Sequence, residues 1–167
     1  KLVTTNTDGS VYIGYRCGDS DTTGSANVAI GKWALSTITT NGSNSSGIPA
    51  YNVAIGFKAL EDMNRINQTS AYGYNTAVGY AAAANLTTGE YNTFLGTSVG
   101  ASGAITGDKN IAIGYQAGYD LTSGASSVLI GYQAGTNITS GQNNIAIGNN
   151  ALTTSTANGD VNIAIGT

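Results

Sequence analysis

Residues 110–114 read Asn-Ile-Ala-Ile-Gly, and the same five residues return at 144–148 and 162–166. Near-copies stand at 10–14 (SVYIG), 27–31 and 52–56 (NVAIG), 75–79 (NTAVG), 92–96 (NTFLG) and 127–131 (SVLIG). The pentapeptide alternates with period two, which is the period of a strand. Ile111 and Ile113 fall on one side and Asn110, Ala112 and Gly114 on the other. The β-branched side suits a strand and is taken as the core-facing one. A helix is a poor reading, because each interior Gly costs it about 1 kcal/mol. The alanine run at 81–84 is too short to change that.

The last glycines of the nine pentapeptides are Gly14, Gly31, Gly56, Gly79, Gly96, Gly114, Gly131, Gly148 and Gly166, at intervals of 17, 25, 23, 17, 18, 17, 17 and 18. Most units close on a Thr/Ser-Gly turn, such as TSG at 122–124 and 139–141. A unit of this length holds two short strands and two turns. That makes one coil of an all-β, parallel β-solenoid of about nine 17–18-residue coils, a single repeat domain over 1–167. Coils stacked at about 4.8 Å give a rod roughly 40 Å long. In this reading Ile stacks on Ile inside, and Asn stacks on Asn in amide ladders. No coil buries its apolar face alone, so each templates the next.

Composition narrows the function. There are 24 glycines, one proline, no histidine, six basic and nine acidic residues. Charged residues are 9% of the chain, against about a quarter in ordinary soluble domains. The surface is therefore mainly Asn, Thr, Ser and Gly. The net charge of −3 argues against a nucleic-acid partner, which calls for clustered cations. No segment approaches the roughly 20 apolar residues of a membrane helix, so no membrane insertion is expected. Lys1 opens no signal-peptide pattern, and the chain reads as a fragment of a longer fibrous protein. The single cysteine permits no intrachain disulfide. Cys17 occupies a slot, three residues after the repeat Gly, that Ala34, Ala59, Ala82, Val99, Ala117, Ala134 and Ala151 fill elsewhere. It is expected to be a small buried apolar residue.

Chemistry is sparse. Without histidine the common triads and zinc sites are excluded. Asp19 with Asp21, and Glu61 with Asp62, read as solvated turn residues. Neither a calcium-roll G-G-x-G-x-D series nor a dinucleotide fingerprint occurs. No enzyme activity, metal or cofactor is expected. The expected interface is instead the row of small residues Ala29, Ala54, Ala77, Ala112 and Ala146, beside the aromatic row that includes Tyr115 and Tyr132. A continuous apolar stripe signals an interface, so a homo-oligomer of rods side by side is expected. The two long units carry insertions at 37–51 and 61–74. Insertions at equivalent places should project together on one face. Asn41, Asn44, Tyr51, Glu61, Asp62, Arg65 and Tyr72 are the candidates there for contacting a glycan or protein receptor. Asn41, Asn44, Asn67, Asn85 and Asn137 stand in N-x-S/T sequons.

From Ser10 to Gly166 the repeats NVAIG, NTAVG and NIAIG resemble the head repeats of YadA-type trimeric autotransporter adhesins. The longer unit NIAIGYQAG…LTSGQN is similar to repeats of phage tail-fibre proteins. The resemblance implies a left-handed β-roll, a homotrimer about a threefold axis, an extracellular, cell-surface or virion location, and host attachment. The unit here is longer than the bacterial head repeat. Three other readings compete: a subunit of an extracellular filament of end-stacked rods, an ice-binding solenoid, and a glycan-degrading enzyme. Against the second, the Thr pairs form no T-x-T row; the third needs paired carboxylates across a groove.

Overall fold

The computed structural model describes residues 2–3, 9–21, 26–39, 51–64, 73–153 and 159–167. Its main sheet has ten strands: β1 (Leu2–Val3), β2 (Val11–Ile13), β3 (Val28–Ile30), β5 (Val53–Ile55), β7 (Thr76–Val78), β8 (Thr93–Leu95), β9 (Ile111–Ile113), β10 (Val128–Ile130), β11 (Ile145–Ile147) and β12 (Ile163–Ile165), in that order. The antiparallel pair is β1 with β2; the other neighbours are parallel. Register is constant: Ile113 pairs with Ile130, Ile130 with Ile147, and Ile147 with Ile165. The chain is thus a parallel β-solenoid, tracing about seven turns among the described residues. Nine coils were expected.

The NIAIG segments are the strands, as expected, but among the described residues most coils carry one strand rather than two. Left-handed residues interrupt the rest. In the coil opening at Asn110, Gln116, Gly118 and Ser126 have φ of 53°, 56° and 57°. Each turns a corner, and none fits an extended run. The backbone still bonds from coil to coil around the loop, as in Gly118 N to Ala134 O (2.9 Å), Thr122 N to Thr139 O (3.0 Å) and Asn143 N to Ala125 O (3.0 Å). Among the described residues, a second strand forms in the long coils, where β4 (Thr37–Thr39) pairs in parallel with β6 (Asp62–Asn64).

The strand faces are the reverse of the sequence expectation. The middle residue of the main-sheet strands β2 to β11 points inward. Ala29, Ala54, Ala77, Ala112 and Ala146 are fully buried, with Tyr12, Phe94 and Leu129 at equivalent places. The first and third residues face outward: Ile111 is 40% exposed, and Ile30, Ile55, Ile113, Ile130 and Ile147 are half-exposed. The reason is width. A coil this narrow has no room for a column of Ile at the strand, so it takes Ala there and fills the remaining volume from the opposite wall with Leu35, Leu60, Leu121 and Ile138. The two walls are matched in size. Where the strand residue is large, the residue six later is Gly: Tyr12 with Gly18, Phe94 with Gly100, Leu129 with Gly135. Where it is Ala, that place holds Leu35 after Ala29 and Leu60 after Ala54, but Ala83 after Ala77 and Gly118 after Ala112, where Gly118 faces Leu129 of the next coil. Cys17 is buried in the slot expected of it, its thiol donating to Ala29 O at 3.0 Å.

Inside the corner before each strand runs the asparagine ladder. Asn110 donates from its backbone N (2.9 Å) and Nδ2 (3.1 Å) to Asn92 Oδ1, and from Nδ2 to Gly124 O (2.8 Å). The same amide step joins Asn27 to Asn52, Asn52 to Asn75, Asn75 to Asn92 and Asn144 to Asn162. These amides are buried and satisfied, as burial requires. Ser127 breaks the run: its backbone N donates to Asn110 Oδ1 and its Oγ accepts from Asn144 N, but it offers no amide. At the strand's other end the repeat glycines have φ from 129° to 143°. A Cβ on any of these from Gly14 to Gly148 would press into the carbonyl of the next Gly in the column. Only glycine fits there.

Candidate functional site

Two surfaces hold side chains without a structural task in the coil. The first is the outer face of the main sheet. Its nine parallel strands present Val, Ile, Leu or Thr at both outward places, making two aliphatic columns along the rod. Aromatic ladders border them. On one side Tyr51, Tyr74 and Tyr91 stack with centroids 5.2 and 5.0 Å apart and planes within 13°. On the other side Phe57 stacks on Tyr80 at 5.1 Å and Tyr115 on Tyr132 at 5.3 Å. Offset stacking adds about 0.5–1.5 kcal/mol per pair, yet Tyr80, Tyr91 and Tyr132 remain half-exposed, at 56%, 51% and 51%. The face is therefore apolar, flat and regular from coil to coil.

The alanines expected on this face are not on it. Ala29, Ala54, Ala77, Ala112 and Ala146 lie in the interior and cannot meet another surface. Tyr115 and Tyr132 do border it. The residues that sequence reasoning missed are Val53, Ile55, Ile111, Ile113, Ile130 and their equivalents, because a large aliphatic residue in a strand is ordinarily assigned to the core.

The second surface lies on the coils nearest the N-terminus and collects much of the chain's charge. Arg16 Nε donates to Asp19 Oδ2 at 2.9 Å, and Lys58 Nζ to Glu61 Oε2 at 2.8 Å. Each carboxylate beside its cation raises that cation's pKa, through the hydrogen bond first. Trp33, the only tryptophan, stands between the two pairs; Lys32 Nζ lies 4.2 Å from its ring centroid and Lys58 Nζ 5.2 Å. Of the receptor candidates, Tyr51 belongs to the aromatic ladder, Glu61 to the Lys58 pair, and Asp62 opens β6 exposed to solvent. Asn41, Asn44, Arg65 and Tyr72 lie outside the described residues, as do most of the two insertions. Their opening residues are adjacent through the β4–β6 pairing. A polar cleft lined by Thr37, Asp62, Asn85, Thr87 and Ser102 lies at the end of that small sheet.

Among the remaining carboxylates, Asp21 is not the solvated turn residue expected. It is half-buried and accepts from the Tyr12 phenol and from Asn27 Nδ2, the latter at 3.1 Å. It thereby closes the first rung of the ladder. Burial, then the bond to Asp21, pushes the Tyr12 phenol well above its usual 10.0. Burial likewise raises the Cys17 thiol, which disfavours the reactive thiolate. Among the described residues no group of three or more His, Cys, Asp or Glu gathers as a metal cluster would. Of the described sequon asparagines, Asn85 and Asn137 both donate to backbone carbonyls of the next coil, Ala101 and Thr153. Comparisons with protein-family models, curated proteins and solved structures return no significant match. The class that the geometry defines is a repetitive parallel β-solenoid.

Proposed function

We propose that the chain is a structural attachment protein: a segment of a homotrimeric fibre or adhesin, outside the cell or on a virion, whose rods pack side by side and present loops to a host glycan or receptor. The observation that supports it best is the outward aliphatic face with its aromatic borders. A contiguous apolar face of this kind marks an interface. Its chemistry repeats at every coil, so the surface that matches it along its whole length is one with the same repeat: another copy of this chain, parallel and in register. Closed rotational symmetry would bury all copies of the face at once. The resemblance to adhesin heads and tail fibres supports the number three.

The test is the mass of the native particle by light scattering, with electron microscopy of the same sample. A mass of three chains and a short rod is expected. Replacing Ile113 and Ile130 by Asp should give folded single chains. A wild-type monomer would overturn the proposal, and long uniform filaments would replace it by end-to-end polymerisation.

A further inference from the structure

The cleft around Trp33 is more than a pair of surface ion pairs. Arg16, Trp33 and Lys58 each stand two residues after the repeat Gly, on three successive coils. Asp19, Ser36 and Glu61 each stand five residues after it. Coil-to-coil bonds hold both columns in line: Trp33 N to Tyr15 O (3.0 Å), Lys58 N to Lys32 O (3.1 Å), Ser20 N to Ser36 O (3.2 Å) and Thr37 N to Glu61 O (2.8 Å). The outer coils thus each carry one ion pair. The coil between carries an indole and a hydroxyl where the pairs would otherwise continue. The result is a cleft of about 310 Å³ between two charged walls, within the range of small-ligand sites.

We infer that this cleft binds a sugar ring of a surface glycan. Neighbouring hydroxyls of a sugar donate and accept at once. The two walls offer carboxylate acceptors and cationic donors, and hydrogen bonds to ionised groups are the stronger ones. The indole, partly exposed beside Lys32 and Lys58, supplies apolar surface for the C–H face of the ring. The ion pairs already neutralise each other, so the empty cleft carries no buried unpaired charge. Later coils hold Ala81, Ser98, Gln116 and Gln133 at the Trp33 place and Ala84 and Ala101 at the Glu61 place. The coil itself therefore requires neither aromatic nor charge there.

The inference gives the attachment reading a ligand class and a second contact besides the insertions, but it stands or falls separately. Trp33 makes the native protein its own reporter. The fluorescence of the full chain is titrated with glucose, galactose, N-acetylglucosamine, glucuronic acid and N-acetylneuraminic acid, with light scattering on the same samples. A saturable shift is expected with at least one sugar. Asp19→Asn and Glu61→Gln should each weaken it at least tenfold without changing the particle mass. Trp33→Gln, which places at this left-handed position the residue that two later coils carry there, should fold and lose saturation-transfer NMR signal from the same sugar. No shift and no saturation transfer with any of the five would overturn the site, as would a shift that the carboxylate variants leave intact. A correct particle mass without sugar binding would leave the fibre reading standing alone; sugar binding by a monomer would do the opposite.

Discussion

The two faces of strand β9 differ in a way that inverts the usual order. Ala112, the smallest of its three side chains, is fully buried, whereas Ile111 is exposed and Ile113 half-exposed. In a broad domain the larger aliphatic residues would be inside. In a coil whose walls are this close, volume decides before hydrophobicity does. The interior takes what fits, and the surplus apolar area is left outside for another surface to cover. The lesson is that coil width, and not side-chain polarity, orients such a strand.

The contrast is broken most directly by one charge on each face. Ala112→Asp should abolish folding, since an unpaired carboxylate would enter the core at a cost of several kcal/mol. Ile113→Asp should keep the coil and reduce only the particle mass. Circular dichroism and light scattering on both variants decide it; an unfolded Ile113→Asp with a folded Ala112→Asp would reverse the assignment of faces. Next in size is Gly114→Ala, where the new Cβ meets the Gly131 carbonyl at φ 133°. A loss on the order of 3 kcal/mol is expected in denaturant unfolding.

The interior wall is sharpened by its amides. Asn92→Ala removes the acceptor of the Asn110 backbone N, one of the two acceptors of Asn110 Nδ2, and the side-chain donor to Gly107 O, and should cost about 2–3 kcal/mol. Ser127→Asn runs the other way. It restores the missing amide between Asn110 and Asn144 and should raise stability by about 1 kcal/mol; a lower melting temperature would overturn that expectation. The mildest effect is a pH dependence at the first coil. The fold holds the Tyr12 phenol protonated above its usual 10.0, while the unfolded chain ionises near that value. Its contribution is therefore complete below pH 10 and falls away as pH rises beyond it. Thermal melting between pH 8 and 11 should decline less in Tyr12→Phe than in the parent.

Much of this was legible in the residues. The Gly-to-Gly intervals gave the coil, the period-two pentapeptide placed its strand, and Asn at a fixed offset announced the ladder. The slot of Cys17 followed from its equivalents. The facing of the strand did not follow, because alternation says that two sides differ and not which is inside. A partial signal lay elsewhere: Tyr12, Phe94 and Leu129 each have Gly six residues on, and Ala29, Ala54 and Ala146 have Leu, but Ala112 also has Gly and Ala77 has Ala. The cleft at Trp33 was missed for another reason. Its residues come from three coils, 17 and 25 residues apart, and look like scattered turn charges until the register aligns them.

The coil-to-coil hydrogen bonds have a mechanical meaning. They run along the rod, so a lengthwise pull loads them in tension, one rung after another, instead of shearing many together. A coil that opens adds only about 4.8 Å to the rod while folded, but its 17 residues extend to roughly 60 Å. Under load each coil would yield in turn and pay out slack, as a sacrificial link does, and the strand faces of its neighbours would remain as the template on which it winds back.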